Sequence, residues 1–442
     1  MMNDIHGNSR LYTSISPSGM SANEVAYISE GGVRKVRSLE RGAQQLLTFS
    51  AEADVKEMER QTGIPAVLAP SYQCYVAMIH AHPEISARVG LSPDGMLEAQ
   101  EITRKKYKMP LGVTPKLFAI SSFKLEFIID DSYSMDGRSS RTETRWQEAQ
   151  RSVNEMVEIF SSIPTGPIEI RFLNQPHHVI RVEREGKTPE KFLEEIFPQI
   201  NAAFARGTQG STPVFRVMKD AYDRYQKDKT PTAHYLFGDG VPDGGESEVR
   251  DISNLVTKRS PWQMPLFLNA CSNNSVDVEW MNEVEEVAEA CSAMDDFIEE
   301  QKEVRGDQGA YFPYNEGLFH GCRMVGALFP NDLDAMDEGT PFTKCEYENL
   351  FGLQISEQEF RLYYDGFCQA QERKRGATPM DNIKKNFPWA SHYNEFLSQD
   401  NRNAISCVHE YKEAILRSKF GNPPTYAQSK SHPPVKSEER KG

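Results

Sequence analysis

Three short segments of the sequence carry oxygen-bearing side chains at spacings that could bind a metal ion. In the first segment, Asp130, Ser132 and Ser134 alternate with other residues, so their side chains can converge on one point. Thr212 belongs to a second segment rich in Gly, Ser and Thr, and Asp239 lies in an Asp-Gly turn. Hydroxyl and carboxylate oxygens are hard ligands that suit Mg²⁺, whereas zinc prefers nitrogen or sulfur. The segments therefore predict a Mg²⁺ site, with Mn²⁺ or Ca²⁺ as the alternative ions.

The charge of this ligand set determines what the ion could do. Asp130 and Asp239 together roughly neutralise a divalent cation. If the hydroxyls of Ser132, Ser134 and Thr212 bind the ion directly and the carboxylates act through water, the ion keeps its positive character. It can then accept a carboxylate group from another molecule. The chemistry expected at such a site is the binding of an acidic group.

The apolar pattern of the sequence indicates which elements position these residues. Residues 123–129 alternate at first and end continuously apolar, which is typical of a central buried strand. Asp130 follows this strand, and Asp239 follows a second predicted strand at 233–237. Thr212 opens a predicted helix. Because ligands bind outside the carboxyl ends of the strands in an open α/β sheet, we expect the three segments to meet there.

Helices and strands alternate through the middle of the chain. Apolar residues recur every three or four positions between Trp146 and Phe160, which predicts an amphipathic helix. Thr188-Pro189 is typical of a helix start. This alternation favours an α/β fold with a doubly wound, mostly parallel sheet that helices cover on both faces. The other elements predicted here are strands at 168–173, 178–182 (an edge strand) and 266–270, helices at 212–225 and 246–258, and one long helix at 277–304 with a solvated acidic face.

Together, the three segments resemble the metal-ion-dependent adhesion site of von Willebrand factor A domains. The matching motifs are Asp-x-Ser-x-Ser at 130–134, a Gly-Ser-Thr-Pro turn at 210–213 and the Asp-Gly turn at Asp239, in the right order. The resemblance covers about residues 116–330. It implies a Rossmann-like doubly wound sheet with Mg²⁺ at its top, used mostly to bind other proteins. It also implies direct ligation by the three hydroxyls, with the two carboxylates holding bound waters or the outer shell.

The sequence departs from the family pattern at Tyr133. The family often has Gly between the two serines, where this chain has a tyrosine. A ring beside the ion could contact a partner or restrict its approach. Tyr133 is therefore predicted to belong to the partner-binding surface.

The regions outside 116–330 are divided by composition and periodicity. Residues 1–35 are rich in Ser, Gly and Asn and predict a flexible N-terminal arm. Helical periodicity predicts helical segments at 36–115 and 331–420. Residues 421–442 are polar and rich in Pro, which predicts a disordered tail.

The predicted tail contains a Pro-Pro-x-Tyr segment formed by Pro423, Pro424 and Tyr426. Such segments resemble ligands of WW domains, whose aromatic grooves bind preformed Pro-rich helices. A WW-domain protein is therefore a candidate partner. The polar, acidic-flecked end of the tail is similar to the C-terminal signals of effectors delivered by bacterial type IV secretion. That resemblance predicts a secreted bacterial effector acting in a host cell.

The overall composition argues against several functions. The 442 residues include 50 Lys and Arg against 64 Asp and Glu, a net charge of −14. Nucleic-acid binding needs a basic face, so it is not expected. The sequence has no run long and apolar enough to predict a membrane span. The 7 cysteines form no Cys-x-x-Cys motif and favour reduced thiols. With no apolar signal segment near the start, a cytoplasmic location is predicted, or a host cell if the protein is an effector.

A cysteine-based enzyme is the alternative to a binding module. Cys74 with His80 or His82 could form a nucleophile and base in the N-terminal helical segment, with the central domain recruiting the substrate. The six-residue offset points Cys74 and His80 to different faces of the predicted helix. No residue that would orient the histidine can be assigned from the sequence. The sequence therefore favours the binding module, with no catalytic residue assigned.

Overall fold

The computed structural model describes most of the chain between residues 83 and 374. It omits 140–141, 273–274, 330–332, 334–335 and 338 within that range. Before it, the described residues are 25–29, 32–36 and five helical positions, Tyr72, Tyr75, Val76, Ile79 and His80.

A six-stranded, mostly parallel sheet forms the centre of the molecule, as predicted. Its strands lie in the order β5-β4-β3-β6-β7-β8, and only β5 runs antiparallel to its neighbour. The order reverses between β3 and β6, which is the doubly wound, Rossmann-like arrangement. The strands of this sheet are β3 (Lys124–Ile129), β4 (Ile168–Phe172), β5 (Val179–Val182), β6 (Thr232–Gly238), β7 (Leu266–Ala270) and β8 (Cys291–Met294).

A separate hairpin precedes the sheet in the sequence. Its strands are β1 (Val25–Ser29) and β2 (Gly32–Val36), which pair antiparallel. The sequence pattern indicated no strand in this region. The rest of the predicted arm lies outside the described residues.

Helices cover both faces of the sheet, as predicted. The helices are α1 (Pro83–Ala87), α2 (Pro93–Lys106), α3 (Val113–Leu117), α4 (Arg145–Ser161), α5 (Pro189–Phe204), α6 (Val214–Asp228), α7 (Glu246–Lys258), α8 (Ser275–Val287), α9 (Phe297–Gln308), α10 (Glu316–Val325), α11 (Lys344–Phe351) and α12 (Glu357–Lys374). On one face, α4, α5 and α10 pack against Phe127 and Tyr235. On the other face, α6, α7 and α8 pack against Ile128 and Leu236. Neighbouring residues of each strand therefore face opposite layers.

Side-chain caps fix where two helices of the first layer begin. Thr144 accepts a hydrogen bond from the Gln147 backbone and the Gln147 side chain accepts one from the Thr144 backbone, which starts α4. Thr188 caps α5, with Pro189 in the first turn, as the sequence predicted. The α4 cap makes Arg145 the first residue of that helix.

The prediction of one long helix at 277–304 is wrong. The segment instead contains the C-terminal part of α8, the edge strand β8 and the start of α9. Ala290 has a φ of 49°, which a continuous helix does not allow, and Asp296 caps α9. Nor is the acidic run fully solvated. Glu300 is buried and accepts a hydrogen bond from the Asp295 backbone, and its burial raises its pKa.

Helices from the flanking regions contribute to the same hydrophobic core as the sheet. Met96 of α2 and Tyr347 of α11 belong to the apolar cluster that contains Phe127, and so do Phe360 and Phe367 of α12. No described helix is long and apolar enough to cross a membrane. The described cysteines Cys271, Cys291, Cys322, Cys345 and Cys368 are not disulfide-bonded.

Candidate metal centre

The predicted site lies at the point where the strand order reverses. The ends of β3 and β6 are adjacent there, with Ile129 paired to Phe237. The Asp130 backbone donates a hydrogen bond to the Phe237 carbonyl oxygen at 2.8 Å. Asp130 and Asp239 thus emerge side by side at the carboxyl edge of the sheet. Open α/β sheets bind ligands at this position.

Four of the five predicted ligands form one chain of close contacts. The hydroxyl oxygens of Ser132 and Ser134 are 2.8 Å apart. Ser134 Oγ donates to Asp239 Oδ1 at 2.8 Å, although the two residues are 105 positions apart. The Ser132 backbone donates to Asp130 Oδ1 at 2.8 Å. The fold therefore brings two hydroxyls and two carboxylates from separate segments together.

Asp130 presents a carboxylate oxygen that lacks a partner. Its Oδ2 atom is buried and has no hydrogen bond. The pKa of Asp130 is raised to about 7, mainly by burial and also by the nearby carboxylates of Asp239 and Asp131, although hydrogen bonds from Ser132 lower it. A nearby cation stabilises the ionised form of a buried carboxylate. The orphaned oxygen is therefore suited to a metal ion or to a water bound to one.

Thr212 lies in the loop beside these four residues. The Tyr133 backbone donates to the Gly210 carbonyl oxygen at 3.4 Å, so the two loops touch. The Thr212 backbone donates to Asp243 Oδ1 at 2.8 Å, and the residue is buried. Among the hydrogen bonds in the described part of the chain, none joins Thr212 directly to the other four residues. Its loop is adjacent to the site, and its hydroxyl remains a predicted ligand.

Two large apolar side chains are exposed on the loops that form the site. Tyr133, between the two serines, is 67% exposed, and it opens a short 3₁₀ helix at Tyr133–Asp136. Val241 follows Asp239 by two positions and is 47% exposed. The ring of Tyr133 is therefore accessible to another molecule.

Arg145 is a site residue that the sequence analysis missed. Its Nη1 atom is 2.6 Å from Asp239 Oδ2, and its Nη2 atom donates to Ser272 Oγ at 2.9 Å. The residue is the first of α4, directly after the cap residue Thr144. The Thr-x-x-Gln capping box was the available signal, because it places Arg145 at the start of the helix that follows the site loop.

The donor set agrees with a Mg²⁺ site. The described residues contain no group of three or more His, Cys, Asp or Glu that could hold a metal ion. The candidate site instead combines two carboxylates with hydroxyls, and it has an unpaired buried oxygen at Asp130. Such oxygen-only ligands suit Mg²⁺, which usually keeps several waters. Ser132, Ser134 and Thr212 would hold the ion, with Asp130 and Asp239 as water-mediated or outer partners.

The remaining candidate residues fall largely outside the described residues. This applies to Cys74 and His82 of the proposed nucleophile pair, and to Pro423, Pro424 and Tyr426 of the tail motif. His80 is described, and its Nε2 atom lies 3.4 Å from Asp94 Oδ1. The pairing of Cys74 with a histidine stays a prediction.

Comparison with protein-family models found no match to this chain, and comparison with curated proteins found none either.

Proposed function

We propose that this chain is a Mg²⁺-dependent protein-binding module of the von Willebrand factor A type. In this proposal a partner protein supplies an acidic side chain that completes the coordination of the ion. The contact chain from Ser132 through Ser134 to Asp239 carries the proposal, because it joins two of the three predicted segments at the carboxyl edge of the sheet. The strand order and the helices on both faces agree with the architecture that the resemblance implies.

The assignment of roles follows from the surroundings of each group. Asp239 is fully buried and already paired with Arg145, so a role as an outer partner suits it. Ser134 is exposed beside it and can face both the ion and solvent. Tyr133 lies next to Ser134, and its exposed ring can contact the partner. The partner surface that fits is therefore an acidic residue with an apolar neighbour.

A Mg²⁺ titration of the full chain tests this proposal. We expect the wild-type chain to bind one Mg²⁺ in calorimetry and to gain thermal stability that EDTA removes. The double variant Ser132→Ala, Ser134→Ala should weaken binding by at least about tenfold, as losses of metal-supporting groups do. Asp239→Ala should weaken it similarly.

Thr208→Ala is the matched control for these variants. Thr208 is a hydroxyl residue of the loop before Thr212, and its Oγ1 atom donates to Asp136 at 2.8 Å rather than to a member of the contact chain. This variant should bind Mg²⁺ like the wild type. A wild-type chain that binds no Mg²⁺, or a double-serine variant that binds as tightly as the control, would refute the proposal.

The compartment and the second partner remain predictions from the sequence. Cytoplasmic residence was predicted from the cysteines and from the residues near the start. Delivery into a host cell and binding of a WW-domain protein through Pro423, Pro424 and Tyr426 depend on residues outside the described part of the chain.

A further inference from the structure

Arg145 places a fixed positive charge against the candidate metal centre. Its guanidinium is 19% exposed and contacts Asp239, whose side chain is fully buried. A second bond, to Ser272 Oγ after β7, holds the guanidinium on the side of Asp239 that Ser134 does not occupy. Asp239 thus accepts from Ser134 at one oxygen and from Arg145 at the other.

This arrangement changes the net charge of the centre. Without Arg145, the ionised carboxylates of Asp130 and Asp239 would balance the two positive charges of Mg²⁺. The carboxylate of Asp131 also lies near that of Asp130. Arg145 adds one positive charge to this centre, both without the ion and with it. A more positive centre attracts a carboxylate more strongly and a cation less strongly.

We propose that Arg145 tunes this charge and thereby sets how strongly the Mg²⁺-loaded centre attracts a carboxylate. The inference rests on the proposed function and adds which residue tunes the site. Arg145 is a positioning residue here, because it acts on the ion and on the ligand through Asp239. Its positive charge weakens Mg²⁺ binding and strengthens carboxylate binding to the loaded centre.

These two opposite effects can be measured on one variant. Mg²⁺ is titrated into the full chain by calorimetry, once in sodium chloride and once in sodium acetate of equal ionic strength, acetate being the probe carboxylate. For the wild type, acetate should raise the apparent Mg²⁺ affinity, because the two ligands then bind cooperatively. In Arg145→Gln, the Mg²⁺ affinity in chloride should rise by about tenfold, from the loss of one charge near a divalent ion. The acetate effect should become smaller.

Arg145→Lys is the matched control, since it keeps the charge and changes the shape. It should retain both the lower Mg²⁺ affinity and the acetate effect. If Arg145→Gln is folded but binds Mg²⁺ with unchanged or lower affinity, Arg145 has only a structural role and the inference is wrong. That result differs from failure of the proposed function, in which the wild type itself binds no Mg²⁺.

A pair of further variants decides the matter if Arg145→Gln does not fold. Asp239→Asn alone should weaken Mg²⁺ binding, because the positive guanidinium then lacks its counter-charge. The double variant Arg145→Gln, Asp239→Asn replaces the buried ion pair by two neutral amides, a change that proteins often tolerate. It should recover most of the lost Mg²⁺ affinity. A double variant no better than Asp239→Asn would overturn the inference.

Discussion

Asp130 and Asp131 are neighbours in the sequence and both are buried, but their carboxylates have different surroundings. Asp130 has an oxygen without a partner. Both oxygens of Asp131 are occupied: Oδ1 accepts from the backbone and side chain of Asn174, and Oδ2 accepts from the Gln175 side chain at 2.9 Å. Asp131 therefore joins the loop after β4 to the segment 130–134, which carries the site residues. Of the two, only Asp130 is free to face an ion.

Replacing Asp131 should cost folding stability. In Asp131→Asn, an amide NH₂ group replaces an oxygen that accepts hydrogen bonds, so buried donors face each other. We expect the free energy of unfolding in urea to fall by about 1–3 kcal/mol. Asp136→Asn is the control, because Asp136 is exposed and accepts only from Thr208 among the described hydrogen bonds. It should change stability by less than about 0.5 kcal/mol. Equal stability of the two variants would contradict this role for Asp131.

At the scale of elements, a buried ionic network ties β3 to its surroundings. Glu126 of β3 is fully buried, and its carboxylate pairs with Arg171 of β4 and Arg224 of α6. His234 of β6 lies 3.1 Å from it. Burial alone would raise the pKa of Glu126, but the neighbouring His234 and the charge of Arg224 hold that pKa well below 4.5. The network anchors α6, the helix that begins directly after the Thr212 loop.

Breaking this network should destabilise the fold in a pH-dependent way. Glu126→Gln leaves buried cations without their counter-charge, so we expect a loss of about 3–5 kcal/mol near neutral pH. Because the folded pKa of Glu126 is depressed, its contribution is present above its unfolded pKa of about 4.5 and is lost as the pH falls below that value. The difference between variant and wild type should therefore shrink in acid. Denaturant unfolding at several pH values measures both effects.

Asp220→Asn provides the control on the same cation. Asp220 accepts from Arg224 Nη1 at 2.8 Å, but its side chain is 73% exposed. Exposed pairs contribute little, so this variant should lose less than about 1 kcal/mol and show little change with pH. A similar loss in both variants would argue against a special role for the buried carboxylate.

The elements show what local sequence can and cannot predict here. The apolar pattern of Leu266–Ala270 predicted the bounds of that strand. The predicted ends of β3 and β6 were also enough to expect Asp130 and Asp239 at the carboxyl edge of the sheet. The four-residue strand β8 was missed because it is short and lies within an acidic, helix-favouring stretch. Only its pairing with β7 defines it. Arg145 was missed for a similar reason, since its contact with Asp239 spans 94 positions.

At the scale of the whole molecule, the flanking helices are packed onto the unit that carries the site. The cluster that contains Phe127 of the sheet also contains Phe360 and Phe367 of α12, both fully buried. In addition, Tyr363 donates to Gln308 of α9 at 2.7 Å. Because these contacts join helices on both sides of the predicted boundary at 330, we expect the described parts to unfold together.

Phe367→Ala tests this cooperativity. Removing a fully buried ring leaves a cavity, and we expect a loss of about 3–5 kcal/mol. Unfolding is followed by tryptophan fluorescence, since Trp146, Trp262 and Trp280, three of the 4 tryptophans, lie within 116–330. The control is Leu362→Ala on the same helix, where the side chain is 52% exposed and the loss should stay below about 1 kcal/mol. If α12 belonged to an independent domain, the fluorescence transition would be the same in Phe367→Ala, Leu362→Ala and the wild type. A shift confined to Phe367→Ala would instead mean that the site-bearing sheet depends on its C-terminal helix.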